Sequence, residues 1–443
     1  MVKYSNLAIG EKLRHVREAK GLSIENMADA VASSKSSISR FERGEIELTA
    51  EILIEMRKFL GIEKAPLLEY ELDAYKNRIQ VWKGYIIRGR FAEARAMQED
   101  VSVILGLPFE HELYLLYLLI EATFLALEYN VQVADQKLSI IEGLLDIDSA
   151  SNEALNLYYR SKGFICGYAG DLINSIKHSL KAVKYAEADK YIDTFALLNV
   201  GFAYSFLGKY WLAIIYFERG RTLHLIKDDI TSGTNEVIGN ALGTCYLAMG
   251  EYRKAEEVIM LTIAQSKSLN NKGAIGEALY RMALIKLRTG MYDDCMDYCN
   301  QAQAYHKESK EMYVNTLICK VKCMLEMKRF DDCPELLNHG KTMLIEGTPD
   351  VVKTAKDSDD LMFYLNAIEH LMTIDDNTSI NFIQDIAIPR FRAGRTSKFD
   401  ALYFCNKLEA YYTKKRAKTK ANAIAAISRD IYKEIFMDEV VLD

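Results

Sequence analysis

A short pattern of glycine, any residue, aromatic, two further residues and a small residue returns at nearly fixed intervals, and it limits the possible folds more than any other feature of this chain. It reads Gly89, Phe91, Ala94; Gly170, Leu172, Ser175; Gly208, Tyr210, Ala213; Gly250, Tyr252, Ala255; and Gly290, Tyr292, Cys295, with Lys328, Phe330 and Cys333 continuing the register. A degenerate copy at Tyr129, Val131 and Ala134 fills the gap, so successive units are spaced by 40, 41, 38, 42, 40 and 38 residues. A period of this length belongs to stacked helical hairpins, each of which buries its apolar face only against its neighbours. The glycine ends a first helix in the left-handed conformation, the aromatic packs at the start of a second, and the small residue lets the two helices touch. Gly163, Gly201, Gly243 and Ala283, seven residues before the capping position, allow the same close approach.

Composition supports helix throughout. Only 5 prolines and 24 glycines occur in 443 residues, and half the residues are hydrophobic, so breakers are scarce and core material is ample. The net charge of −6 means that any nucleic-acid binding must be confined to one region. The segment Met1 to Lys12 carries no apolar run of signal-peptide length. The most hydrophobic stretch, Leu113 to Leu127, contains Glu121 and is shorter than the roughly 18 residues of a membrane span, so a buried helix is expected there. These features predict a cytoplasmic protein without a membrane partner, whose eight cysteines are reduced thiols.

Ahead of the repeats, residues 8–61 read as a separate small helical unit. Ile9, Leu13 and Val16 form the apolar stripe of a first helix, Ala8 to Ala19, ended by Gly21. Ser23 caps a second helix that buries Met27, Ala28 and Val31; Ser33 and Ser34 make a turn and a new cap; and a third helix, Lys35 to Arg43, buries Ile38 and Phe41 and stops at Gly44. Leu48, Ile52, Leu53, Met56 and Leu60 continue the core. Two short helices separated by so short a turn make a helix-turn-helix. Lys35, Ser36, Ser37, Ser39 and Arg40 lie off the buried line of the third helix, where they can meet base edges and phosphates, and Arg43 and Arg17 are candidates for phosphate contact or ion pairing.

The runs Glu18-Ala19-Lys20-Gly21-Leu22-Ser23 and Ser34-Lys35-Ser36-Ser37-Ile38-Ser39-Arg40-Phe41-Glu42-Arg43-Gly44 resemble the phage-repressor-type (XRE) helix-turn-helix, although the turn, often Gly-Val in that family, is Ala32-Ser33 here. The resemblance implies DNA contacts from Lys35, Ser36, Ser37, Ser39, Arg40 and Arg43. Residues 1–65 hold 11 Lys and Arg against 10 Asp and Glu. One copy with so little excess charge binds DNA weakly, so a homodimer reading two half-sites of a palindromic double-stranded operator is expected.

The repeats resemble tetratricopeptide repeats with lengthened units. The organisation expected is therefore all-α: a helix-turn-helix domain over residues 1–65, a connector over 66–75, and a right-handed tetratricopeptide-repeat superhelix of about nine hairpins over 76–443 that binds a ligand and dimerises. Its last hairpins should turn near Asp375 and near Lys415. If first helices line the concave groove, the lining residues include Arg160, Asn199, Asn240, Tyr280, Arg281 and Lys322, with Glu277 and Asn315 one turn earlier. An asparagine amide offers a donor and an acceptor together and so matches the backbone of an extended peptide. Asn199 and Asn240, 41 residues apart in neighbouring units, suit this role. The alternative is that such asparagines cap helices or bridge hairpins.

A repressor-type helix-turn-helix followed by a long tetratricopeptide array resembles the RRNPP group of Gram-positive cytosolic peptide-pheromone receptors. The resemblance implies a quorum-sensing transcription regulator controlled by a short signalling peptide in the groove, with Arg160, Asn199, Asn240, Tyr280, Arg281, Asn315 and Lys322 as candidate contacts. The competing reading is a DNA-tethered scaffold that binds a protein partner constitutively. Relatives that act on phosphorylated signalling proteins use an N-terminal helical bundle, whereas a DNA-reading unit stands there in this chain, so no enzyme, catalytic residue or cofactor is expected. Cys295/Cys299 and Cys319/Cys323, two pairs at i,i+4 spacing, have the composition of a four-thiolate zinc site. Cys295, Cys299 and Cys333 fall where the repeat wants small or apolar residues, and the expectation is packing without metal. Gly340-Lys341-Thr342 lacks the first glycine of a phosphate loop, Glu335 standing in its place.

Overall fold

The computed structural model describes residues 9–87, 90–107, 110–128, 130–190, 193–226, 234–307, 309–345, 353–393 and 398–436. Ala8, Gly89 and Tyr129, used in the helix and repeat readings, lie outside the described residues. Among the described residues all regular structure is helical, and no helix is long and apolar enough to cross a membrane. The chain divides into two compact units, Met1–Tyr168 with Lys181–Tyr191, and Ala169–Leu180 with Ile192–Asp443.

The first unit opens with α1 (Ile9–Ala19), α2 (Ile24–Ala30), α3 (Lys35–Glu42) and α4 (Ala50–Phe59). Of the apolar residues the periodicity marked, Leu13, Val16, Met27, Ala28, Val31, Ile38, Phe41, Met56 and Leu60 are buried, whereas Ile9, Leu48, Ile52 and Leu53 are half-buried. Ser23 caps α2 by accepting from Asn26 N at 3.0 Å, and the Asn26 carboxamide accepts in return from Ser23 N at 3.0 Å. Ser34 caps α3 through Ser37 N at 3.0 Å. The third helix ends one residue earlier than expected, with Arg43 as its C-cap.

The unit continues with α5 (Glu69–Ile87), α6 (Phe91–Ser102), α7 (His111–Leu127), α8 (Val131–Leu144), α9 (Asn152–Ala169) and part of α10 (Leu172–Ala188). Much of the expected connector over 66–75 is helix, because α5 begins at Glu69. The Glu71 carboxylate accepts from the backbone N–H groups of Leu67 and Leu68 at 2.9 and 3.1 Å, closing the first turn immediately after Pro66, and Arg57 holds it at 2.9 Å. Trp82 is fully buried, donates to Ala94 O at 2.9 Å and stacks on Tyr117 with ring centroids 5.5 Å apart. The apolar stretch ending at Leu127 forms α7, with most of its residues buried.

The second unit carries the most regular repeats: α11 (Thr194–Phe206) with α12 (Tyr210–Ile226), α13 (Thr234–Ala248) with α14 (Tyr252–Ser268), α15 (Lys272–Arg288) with α16 (Tyr292–Tyr305), and α17 (Lys310–Glu326) with α18 (Cys333–Ile345). Second helices begin at Tyr210, Tyr252 and Tyr292, the aromatics of the pattern. Gly208, Gly250 and Gly290 take φ of 75°, 77° and 76°, and Lys328 takes 59° where the repeat has lost its glycine. The small positions Ala213, Ala255, Cys295 and Cys333 are fully buried. A Cβ on Gly201 would lie 2.5 Å from the Phe217 ring, which accounts for glycine upstream of the cap. Phe330 departs from the register: it is half exposed and α18 starts at Cys333, because Pro334 favours the first turn of a helix.

Beyond the repeats lie α19 (Lys353–Met372), α20 (Asn377–Asn381), a π-helical turn Phe382–Ala387, α21 (Ile388–Ala393), α22 (Lys398–Lys414) and α23 (Lys418–Phe436). These hairpins turn where the sequence placed them and share one core with α17 and α18. The last hairpin also reaches back to the α11–α12 turn within the same unit. Tyr210 meets Phe399 at 5.9 Å between ring centroids, and a cavity of about 230 Å³ lies between Gly208 and the Arg392–Glu434 and Lys398–Glu434 ion pairs.

Candidate functional site

The residues nominated by the sequence fall in two sets. On α3, Lys35, Ser36, Arg40 and Arg43 are exposed while Ser37 and Ser39 are half-buried, and all six lie off the buried Ile38/Phe41 line. Ser37 takes part in the cap, its hydroxyl 2.8 Å from that of Ser34. Acidic neighbours hold the basic groups: Lys35 pairs with Glu25, and Arg43 donates to Glu45 at 2.6 Å and to Ser39 Oγ at 2.7 Å. Arg40 stands 3.4 Å from Glu45. The hydrogen bond from Lys35 draws the Glu25 carboxyl below its ordinary range, and the bond from Arg43 does the same for Glu45. Exposed ion pairs of this kind are weak, so phosphates can exchange for these carboxylates at little cost.

Arg17 has a different task. Its guanidinium binds Glu42 bidentately at 2.7 and 2.8 Å, with both side chains buried, and donates to Leu22 O at 2.7 Å. Of its two sequence readings, the ion pair is the one realised. It fixes α3 to α1. A second buried pair, Lys12 with Glu110 at 2.6 Å, ties α1 to the start of α7.

The other nominated residues lie on first helices of the repeats. Arg160, in the first unit, is 4% exposed. The other candidates lie in the second unit. Asn199 on α11 is half-buried, and its amide nitrogen has no hydrogen-bond partner. Asn240 on α13 is 2% exposed, and neither its amide nitrogen nor its amide oxygen is partnered. Its backbone carbonyl accepts from Arg281 Nε at 3.1 Å, and Arg281 also donates to Glu277 at 2.7 Å. Asn315 on α17 is half-buried.

Lys322 is committed within the chain. It pairs with Asp400 at 3.1 Å and lies over the Tyr364 and Tyr403 rings at 4.7 and 4.6 Å. Tyr364 donates to the same Asp400 at 2.6 Å. Burial pushes the phenols of Tyr280, Tyr364 and Tyr403 far above the ordinary tyrosine range. Asp400, Tyr364 and Tyr403 were not legible as partners of Lys322, since they follow the last copy of the repeat and have no register to align. The structure also brings the four cysteines of α16 and α17 together in one core cluster.

A family profile described as helix-turn-helix matches residues 13–67. No curated protein matches the chain. Solved structures with a similar fold include the apo form of the quorum sensor NprR from B. thuringiensis, at 14% identity over 82% of this chain and 100% of that one, with a TM-score of 0.66. A Rap protein complexed with Competence and Sporulation Factor is 14% identical over 82% of this chain and 98% of that one, with a TM-score of 0.65. Aspartyl phosphate phosphatase F from Bacillus subtilis is 16% identical over 83% and 97%, with a TM-score of 0.54. At these identities the likeness is one of fold. The chain is an all-α protein in which a helix-turn-helix domain precedes a helical-repeat array of the Rap and NprR type, as the motifs implied.

Proposed function

We propose that this protein is a sequence-specific transcription regulator of the RRNPP kind, a homodimer that reads a palindromic operator through α3 and is controlled by a short signalling peptide bound on the first helices of its repeats. The domain assignment goes with this reading: residues 1–65 contact DNA, and the repeats over 76–443 bind peptide and dimerise. The observation that supports the peptide reading is the unpartnered amide nitrogen of half-buried Asn199 together with the buried Asn240 amide, unpartnered at both nitrogen and oxygen. Leaving a buried amide unpaired costs about 1–3 kcal/mol per group, and an extended peptide backbone supplies the donor and acceptor that would recover it. Arg160, Tyr280, Arg281 and Asn315 complete the candidate contact set, together with Lys322 if it gives up its pairing with Asp400.

The account makes the protein a regulator and not a catalyst. A phosphatase assay on a phosphorylated response regulator should give no turnover. The main test separates the two sets of residues. Arg40→Ala should abolish operator binding while leaving bound the peptide that copurifies from the native host, and Asn199→Ala with Asn240→Ala should do the reverse. Operator binding unaffected by Arg40→Ala would refute the α3 assignment, and peptide retention unchanged in the double variant would refute the site. A scaffold that never takes a peptide would copurify with none.

A further inference from the structure

The chain has eight cysteines, and four of them meet at one point in the second unit. Cys295 and Cys299 sit one turn apart on α16, and Cys319 and Cys323 one turn apart on α17, the helix packed against it. The sulfurs of Cys295, Cys299 and Cys319 lie within 4.8 Å of one another, and the Cys295 and Cys319 sulfurs are 3.9 Å apart. Four sulfurs about 2.3 Å from a central zinc ion form a tetrahedron with edges of about 3.8 Å. The Cys295–Cys319 pair already has about that separation. Cys323 now donates to Tyr292 O at 3.2 Å, and its thiol also interacts with that of Cys295. To become the fourth ligand, Cys323 would have to give up that carbonyl.

Packing accounts for part of this arrangement. Cys295 stands where other repeats have alanine, and a cysteine serves there as a small hydrophobe. That explanation covers each residue singly and gives no reason for four thiols to converge, when Cys166, Cys245, Cys333 and Cys405 lie outside the cluster. The charges around it are mixed. The neighbouring thiols and burial raise Cys295, Cys299 and Cys319 above the ordinary thiol range; Lys322 favours the thiolate of Cys319 and Arg329 that of Cys323, while Asp293 and Glu326 oppose the latter. The remaining groups against the cluster, Tyr280, Tyr292, Tyr298 and the apolar Leu284, Leu287, Met296 and Met327, exclude water.

We propose that Cys295, Cys299, Cys319 and Cys323 form a structural site for one zinc ion, which clamps α16 to α17. Binding replaces four S–H bonds by four Zn–S bonds and releases the four protons to solvent, so affinity rises with pH. All four ligands come from the protein, which leaves no open position and makes the role structural.

The test uses full-length protein stripped of metal under reducing, oxygen-free conditions and titrated with cobalt(II). The expected result is a sulfur-to-cobalt charge-transfer band with the visible bands of a tetrahedral ion, saturating at one ion per chain and lost when zinc is added. Zinc should also raise the melting temperature. Cys295→Ala with Cys319→Ala should abolish the band, while Cys333→Ala keeps it. If the double variant does not fold, the wild-type titration still decides. No charge-transfer band in the wild type overturns the proposal, as does a band that survives in a folded double variant.

Discussion

The buried Lys12–Glu110 pair offers a sharp test of how the reading head is held. Lys12 lies on α1 and Glu110 at the cap of α7; they are 4% and 7% exposed, 2.6 Å apart, and Lys12 also donates to Leu67 O at 3.3 Å. At that separation the gross attraction is about 6 kcal/mol with an effective dielectric constant near 20. The cost of drying both ions offsets much of it. Removing one partner is more severe, because a charge then remains buried without compensation, at about 3–5 kcal/mol. Lys12→Met should therefore shift the unfolding equilibrium of the first unit by roughly a hundred-fold to several thousand-fold. Glu110→Leu should do much the same, and the two together should recover most of the loss. The two tryptophans allow the measurement: Trp82 is fully buried in the first unit, whereas Trp211 lies in the second and is 57% exposed. Urea unfolding followed by Trp82 fluorescence in a Trp211→Phe background gives the double-mutant cycle. Single variants costing under about 1 kcal/mol, or a double variant as damaged as the worse single one, would refute the reasoning.

Other consequences follow from single residues. Glu236 on α13 is fully buried, and burial raises its pKa by more than its backbone N–H and Asn271 lower it. The folded state thus favours the neutral acid: the penalty is absent below the ordinary carboxylate range, appears as pH rises through it, and is complete above the raised folded value. Glu236→Gln should consequently stabilise the protein at neutral pH and lose that advantage in acid, and a pH-independent difference in urea midpoint would contradict this. Ala32 and Lys328 hold φ of 49° and 59°, so Ala32→Gly and Lys328→Gly should each gain up to about 1 kcal/mol in thermal or urea unfolding, the relief of a left-handed side chain exceeding the entropy cost of glycine. Gly201→Ala, whose new methyl would meet the Phe217 ring, should cost about 1–3 kcal/mol by the same measurement; a neutral effect would show that the two helices part easily.

What could be read from the sequence was what repeats or caps. The glycine-aromatic-small pattern placed the turns of the α11–α12, α13–α14 and α15–α16 hairpins to the residue, since each position answers to a local need: a left-handed cap, a helix start, a close approach. Ser23 and Ser34 announced α2 and α3 for similar reasons. What escaped was what depends on a side chain finding a distant partner. Nothing near Glu71 in sequence says that it would close the first turn of α5 with Arg57 behind it. Lys12 gave no sign of meeting Glu110. Lys322 gave no sign of meeting Asp400, Tyr364 and Tyr403, which lie beyond the last repeat. The cysteine pairs showed their helical spacing, yet only the packing of α17 on α16 brings them together.

The central claim is that a peptide held by the repeats governs how α3 engages DNA. It is tested most directly by measuring operator affinity with and without the peptide that copurifies from the native host, using an operator selected from random duplexes by the full-length protein. The account predicts that the peptide changes operator affinity in the wild type, in one direction and saturably, and leaves it unchanged in the Asn199→Ala/Asn240→Ala variant. An operator affinity that is the same whether or not the wild type carries peptide would contradict it.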